Sequence, residues 1–327
     1  VSASEQGMFD EIPIIDVSPA LEGTDAGLNQ VAKEVDYAYS QVGFAYISNH
    51  GIDPSLIESI FEASKQFHAL PHEEKMKLER NEFHRGFVPI NSSTVRTSSV
   101  AKVTKPNQSE SFLIMGDQMA PDTPLTGPNQ WPKNLPGFKE AVLAYHDTLT
   151  DLARALIRPL SVALGEDKYF LDRHFIQATT YLRMLYYPPQ PPQSPDDLYG
   201  AAPHTDQGFL TMLVQDDVGG LQVRNTKGEW IDAPPIPGTF VMNSGDMLHR
   251  WSNGRFISTP HRVINRSGRA RYSNPFFLSP DMNSKIEAIP ATVTPDNPAK
   301  FEPIIYGEYV VSRIRKNYAQ HHKDKPN

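Results

Sequence analysis

Apolar residues recur at three- and four-residue steps through much of the first half of the chain. Ile12 to Val17 (IPIIDV) reads as a short buried strand, after which Leu28, Val31, Val35, Ala38 and Val42 mark one face of an amphipathic helix. Gly43 ends it and GFAYIS supplies a second strand. Asp53 before Pro54 is an N-cap and first-turn pair, opening a helix with Leu56, Ile57, Ile60, Phe61 and Phe67 inward. A further start signal lies at Leu70–Pro71, followed by the polar helical run HEEKMKLER. Residues 82–135, rich in Pro, Ser, Thr and Asn, show no sustained period and read as an irregular stretch with short strands. Helical spacing returns from Pro136 to Leu164 through Phe138, Val142, Tyr145, Leu149, Leu152, Leu156 and Leu160.

After residue 178 the pattern shortens. TYLRMLYY, FLTMLV, LQVRN, TFVMN, HRVIN and RYSNPFFL are β-rich runs separated by turn residues at Gly219–Gly220, Gly238, Gly245, Asn253–Gly254 and Gly268. Short strands so punctuated predict a double-sheet jelly roll, and the alternating βαβα pattern of a dinucleotide fold is missing. The expected class is α+β with a mainly β core. Residues 1–177 form a helical N-terminal region with edge strands packing on the core; residues 178–327 form the core and a C-terminal helix from Tyr306 to Tyr318. No internal repeat is present, and the pattern specifies no oligomeric state.

Composition narrows the chemistry. The 327 residues contain no cysteine, which removes thiol nucleophiles, thiolate zinc sites, iron–sulfur clusters and disulfides together. Any metal must then be held by His, Asp or Glu. The net charge of −7, with no basic cluster before the short KDK tail, argues against nucleic acid as a partner. No apolar run approaches the roughly 20 residues that cross a bilayer, so no membrane role is expected. The first dozen residues lack the basic start and apolar centre of a secretion signal, and a cytoplasmic enzyme is the default expectation.

Nine of the eleven histidines read as packing, turn or surface residues. His68, His72, His84 and His146 lie in helical or irregular stretches without an acid at a useful spacing; His50, His174 and His249 fit turns or packing; His321 and His322 belong to a polar tail. His204 and His261 differ. In His204-Thr205-Asp206 the outer side chains are separated by the strand period of two, so an extended backbone points both to one face. His261 follows 55 residues after Asp206 and opens the strand HRVIN. RSGR reads as a hairpin turn, which makes Arg271 a near cross-strand neighbour of His261, with Ser273 on its face. Two imidazoles and one carboxylate leave about three positions open on a metal, the arrangement suited to non-haem Fe(II) and O2. A divalent ion with one carboxylate keeps a net positive charge and attracts an anionic chelator such as a 2-oxo acid. A second carboxylate at the far end of that acid needs a forked cationic donor, which Arg271 with Ser273 supplies.

With those residues in place, the chain resembles the isopenicillin N synthase-like branch of the Fe(II)/2-oxoglutarate-dependent dioxygenases. The likeness runs through IPIIDVS, GFAYISNHGI, YYPP, HTDQGFLTML, GLQV, NSGDMLHRWSNGRFISTPHRV, RYS and YGEYVVSR. It implies a double-stranded β-helix, Fe(II) on His204, Asp206 and His261, and 2-oxoglutarate held by Arg271 and Ser273 with a contact from Tyr187. It also implies a substrate-pocket residue at Phe277, and a reaction that hydroxylates, desaturates or cyclises a small organic substrate while releasing succinate and CO2. One position departs: plant-type members usually carry Asn two residues before the YYPP tyrosine, and here it is Leu185. Two other readings stay open, a same-branch oxidase needing no 2-oxoglutarate and a non-catalytic jelly-roll binding protein. The intact triad with an intact R-x-S pair counts against the second.

Overall fold

In the computed structural model, which describes residues 6–95 and 98–322 and side chains as far as 314, two sheets face each other across the interior. The side chains of His321 and His322 and the KDK tail lie outside the described residues.

The strands are β1 (Ile14–Asp16), β2 (Phe44–Ser48), β3 (Gly86–Val88), β4 (Glu110–Met115), β5 (Thr179–Tyr187), β6 (Ala201–His204), β7 (Leu210–Gln215), β8 (Leu221–Arg224), β9 (Trp230–Asp232), β10 (Phe240–Ser244), β11 (His261–Val263) and β12 (Arg271–Ser279). Eight of them form one sheet in the order β1-β2-β10-β7-β12-β5-β4-β3, and four form the other in the order β6-β11-β8-β9. A two-stranded ribbon, β13 (Lys285–Ile286) with β14 (Ile304–Ile305), stands apart. From β5 to β12 the chain passes repeatedly from one sheet to the other, which is the topology of a double-stranded β-helix.

That topology corrects one expectation. β11 and β12 are consecutive but do not pair: β11 lies between β6 and β8, whereas β12 lies between β5 and β7. Arg271 is therefore opposite Tyr187, not beside His261 on a hairpin. The turn near Gly268 carries the chain between sheets, a step that no turn motif distinguishes from a hairpin.

The helices are α1 (Ser18–Leu21), α2 (Asp25–Gln41), α3 (Pro54–His68), α4 (His72–Met76), α5 (Phe138–Ala163), α6 (Asp246–Trp251) and α7 (Tyr306–His322). Helix α2 starts where Thr24 accepts a hydrogen bond from the Gly27 amide at 3.1 Å, and buries Leu28, Val31, Val35 and Ala38. Asp53 accepts from the Ser55 amide at 2.8 Å and Pro54 occupies the first turn of α3, as the sequence pattern predicts. The polar run after Pro71 is helical for only five residues, and the backbone then bridges Glu79 to Phe87. Helices α2, α3 and α5, the last two contributing Phe67 and Phe138, share one apolar core with Phe112, Met184, Phe276 and neighbours on the sheet. The larger sheet is thus backed on one side, and its other face is left to line the barrel. Among the described residues, no helix is long and apolar enough to cross a membrane.

Candidate metal centre and substrate cavity

Strand β6 ends at His204, so Asp206 sits in the connection to β7 and not on the strand itself. The two-residue spacing still brings both side chains to one place. His261 opens β11 directly across from His204, with ring centroids 4.3 Å apart. Asp206 Oδ1 lies 3.8 Å from His204 Nε2 and 3.7 Å from His261 Nε2. One donor atom from each residue falls within 4.8 Å of the others.

The remaining atoms are already committed. His204 Nδ1 donates to the Ala202 carbonyl at 2.8 Å, and His261 Nδ1 donates to the Thr259 carbonyl at 3.2 Å. A carbonyl only accepts, so each Nδ1 carries the hydrogen and each Nε2 presents its lone pair. Asp206 Oδ2 accepts from Thr211 Oγ1 at 2.6 Å and Asn243 Nδ2 at 2.7 Å, leaving Oδ1 turned toward the imidazoles. Burial, with the neighbouring His261, pulls His204 down to about 4 against the opposing pull of Asp206, so the ring is neutral at physiological pH. Burial pushes the Asp206 carboxyl up, but the two imidazoles with Asn243 and Thr211 outweigh it and hold the carboxyl below its ordinary range. Two imidazole nitrogens and one carboxylate oxygen on one side, with room opposite, fit a divalent iron with open positions.

Gly245 helps to place the acid. The amide of Asp246 donates to the Asp206 carbonyl at 2.7 Å, and a Cβ on Gly245 would lie 2.3 Å from the Gly208 carbonyl oxygen. Helix α6 can begin this close to the Asp206 loop only because position 245 has no side chain.

Deeper in the barrel, Arg271 is fully buried. Its guanidinium lies 4.7 Å over the Tyr187 ring, donates to Ser273 Oγ at 3.2 Å and to Gln215 Oε1 at 3.0 Å, and leaves Nε without a partner. It makes no ion pair among the described residues. A buried cation satisfied only by neutral acceptors is costly unless an anion joins it, so this donor set fits the far carboxylate of 2-oxoglutarate. Leu185 lies nearby in an apolar cluster with Tyr187, Val223, Val241 and Val263, where an amide in its place would be among hydrocarbon.

On the other side of the triad opens a cavity of about 430 Å³. His204 and Asp206 line it together with Tyr181, Arg183, Phe277 and His84. Phe277 is stacked on Tyr181, its cross-strand partner, with centroids 4.2 Å apart and planes 12° from parallel. Arg271, Ser273 and Phe277 share the inward parity of β12, as expected from sequence, and the face they share runs from the buried end to the cavity.

The sequence pattern does not single out several of these residues. His84 sits at φ 64° beside the cavity, and burial with Arg80, Arg183 and Arg85 pulls it down to about 3. Thr211 and Asn243 lie in strands that were legible, but nothing local says that they hold Asp206. Arg183 did leave a signal, since it has the same parity as Tyr187 and is the one charged residue on that face of its strand. His68 corrects an expectation outright. It has an acid after all, Glu110, 42 residues away and 2.7 Å distant.

Residues 178–280 match the 2OG-Fe(II) oxygenase superfamily, and residues 12–134 match the non-haem dioxygenase N-terminal region described from morphine synthesis. The chain belongs to the Fe(II)/2-oxoglutarate-dependent oxygenases, and it is an enzyme of that family using Fe(II), 2-oxoglutarate and O2. It is 34% identical over 323 residues to the 2-oxoglutarate-Fe(II) type oxidoreductase hxnY of Emericella nidulans, covering 94% of this chain and 90% of that protein. It is likewise 34% identical to a 1-aminocyclopropane-1-carboxylate oxidase of Dictyostelium mucoroides, over 94% of this chain and 95% of the relative. Among solved structures it is similar to a full-length Neurospora crassa protein in complex with alpha-KG and thymine. There the TM-score is 0.85 at 32% identity, with 97% of this chain and 99% of that chain covered.

Proposed function

We propose that His204, Asp206 and His261 hold the Fe(II), that Arg271 and Ser273 with Tyr187 hold 2-oxoglutarate, and that Phe277 lines the pocket of a small organic substrate. The carrying observation is that the free donor atoms of the triad and the ion-pair-free guanidinium of Arg271 face the same barrel interior. Bound iron supplies O2 activation coupled to loss of CO2 from the 2-oxo acid. The chain's own part is positional. Thr211 and Asn243 orient the carboxylate, the carbonyls of Ala202 and Thr259 orient the imidazoles, and Arg271 sets the depth of the co-substrate. The cavity size falls within the range usual for small-molecule sites. The substrate is then hydroxylated, desaturated or cyclised according to which C–H bond the cavity walls present.

The strands before residue 178 pair with those after it in one sheet, so we take residues 1–177 as the supporting half and 178–327 as the half that carries the ligand-binding side chains. Dependence on reduced iron and a 2-oxo acid of central metabolism supports a cytoplasmic location, which cell fractionation tests. Anaerobic titration with Fe(II) and 2-oxoglutarate tests the site directly. A visible charge-transfer band saturating at one equivalent of each is the expected result. Turnover in buffer free of 2-oxo acids, with no succinate formed, would overturn the assignment of Arg271 and favour a same-branch oxidase that needs no 2-oxoglutarate.

A further inference from the structure

Arg183 is a second cation inside the barrel, and the roles proposed above do not use it. It projects from β5 with the inward parity of Tyr181 and Tyr187 and lines the cavity next to Asp206. Its Nε donates to Ser111 Oγ at 3.0 Å, and that neutral contact is its one hydrogen bond among the described residues. No carboxylate forms an ion pair with it there. Arg183 is partly buried and lines the cavity.

The other charges of the cavity are accounted for. Asp206 belongs to the triad. Asp246 faces Arg313 of α7 and accepts from Ser258 at 2.8 Å, so those two offset each other. His84 is kept neutral by burial and by the nearby arginines. Arg85 directs its guanidinium at the carbonyls of Phe83 and Leu125. Burial depresses the Arg183 guanidinium, and only Tyr187, Tyr181 and Asp206 pull the other way. What remains is a partly buried cation without an ion pair among the described residues, lining the cavity beside Asp206.

The neighbouring surface gives the shape. Tyr181 precedes Arg183 by one strand period, roughly 7 Å along the same face, and carries the stacked Phe277. A flat aromatic wall therefore adjoins a forked donor along one face of the strand.

We propose that Arg183 is the anion-recognising residue of the substrate cavity, so that the substrate carries a carboxylate against Arg183 and a flat apolar part against Tyr181 and Phe277. This rests on the assignment of the metal and co-substrate sites above. Forked guanidinium geometry selects a planar carboxylate over a point charge, and a cation repels an ammonium.

The test uses enzyme loaded anaerobically with Fe(II) and 2-oxoglutarate, whose visible band is recorded first. A missing band at that stage is a failure of the metal and co-substrate assignment, and it appears before any substrate probe is added. Benzoate, benzamide and benzylammonium are then titrated by calorimetry into wild type, Arg183→Met and Arg183→Lys, with thermal melts alongside. Wild type is expected to bind benzoate at least tenfold tighter than benzamide and to reject benzylammonium. Arg183→Met is expected to lose that preference while keeping its affinity for 2-oxoglutarate, and Arg183→Lys to retain part of it. Comparable binding of the three probes by wild type, or no binding of benzoate, overturns the proposal. So does an Arg183→Met variant that loses 2-oxoglutarate as severely as benzoate, since Arg183 would then serve the co-substrate. If Arg183→Met fails to fold, the wild-type ranking and the lysine variant still decide.

Discussion

Strand β5 has a charged cluster on each side, and the two are built differently. On its outer side, under α3 and α4, Glu110 accepts from His68 at 2.7 Å and from Lys75 at 2.6 Å, while His68 Nε2 donates to the Met184 carbonyl at 3.1 Å. The imidazole also stacks on Tyr186. Every charge there has a partner within the chain. On the inner side, Arg271 and Arg183 donate only to neutral acceptors among the described residues, and Arg271 also lies over the Tyr187 ring. A buried ion that is compensated internally is part of the architecture. One that is not compensated marks the place where a ligand completes the structure.

The contrast breaks most sharply at the metal. Replacing His204, Asp206 or His261 with Ala is expected to abolish turnover and Fe(II) binding while the melting curve changes little, because these side chains line an interior built by other residues. Wild-type activity in all three would remove the centre from the proposed mechanism. Asp206→Glu is also expected to be poor, since one added methylene moves the oxygen out of the position that Thr211 and Asn243 prepare.

Arg271→Gln is the next largest effect. Losing the cation from a buried pair costs about 3–5 kcal/mol, a factor of a few hundred or more in 2-oxoglutarate affinity. Lysine should restore only part, because it lacks the fork. Iron should still bind and the unliganded fold should hold, which calorimetric titration and a thermal melt read separately.

Glu110→Gln should show the opposite profile. It leaves His68 and Lys75 buried with a neutral acceptor, so stability is expected to fall by about 3–5 kcal/mol with co-substrate affinity unchanged. The same cluster sets a pH dependence. Burial raises the Glu110 carboxyl, but its bonds to His68 and Lys75 prevail and hold it below its ordinary value of 4.5. Its contribution is therefore complete above that value and is lost as pH falls through the lower folded-state value. Acid denaturation curves of wild type and Glu110→Gln should converge there. Parallel curves down to the lowest pH would show that the cluster is not the acid-sensitive element.

Smaller effects sharpen the inner site. Ser273→Ala removes one hydrogen bond to a charged group and should weaken 2-oxoglutarate binding by about 1–3 kcal/mol. Phe277→Ala removes the stack on Tyr181, worth about 0.5–1.5 kcal/mol. It should shift product distribution more than iron binding. Product assays beside thermal melts check this, and a collapse in stability with unchanged products would make Phe277 a core residue instead.

Local chemistry alone identified the helices at 25–41, 54–68 and 138–163, because apolar spacing and caps act over one or two turns. It likewise placed β5, β7, β8, β10, β11 and β12, though not β6 or β9, and the parity that puts Arg271, Ser273 and Phe277 on one face. The two-residue step from His204 to Asp206 was legible for the same reason, although the strand proper stops at His204. What the sequence could not carry was pairing over distance. Nothing near Arg271 says that its neighbour is Tyr187 and not His261, since a turn between sheets and a hairpin turn use the same residues. Nothing near His68 points to Glu110, and nothing near Arg183 tells whether an acid waits opposite. Those are decided when two sheets close on each other, because whether a buried charge is compensated depends on which distant strand arrives beside it.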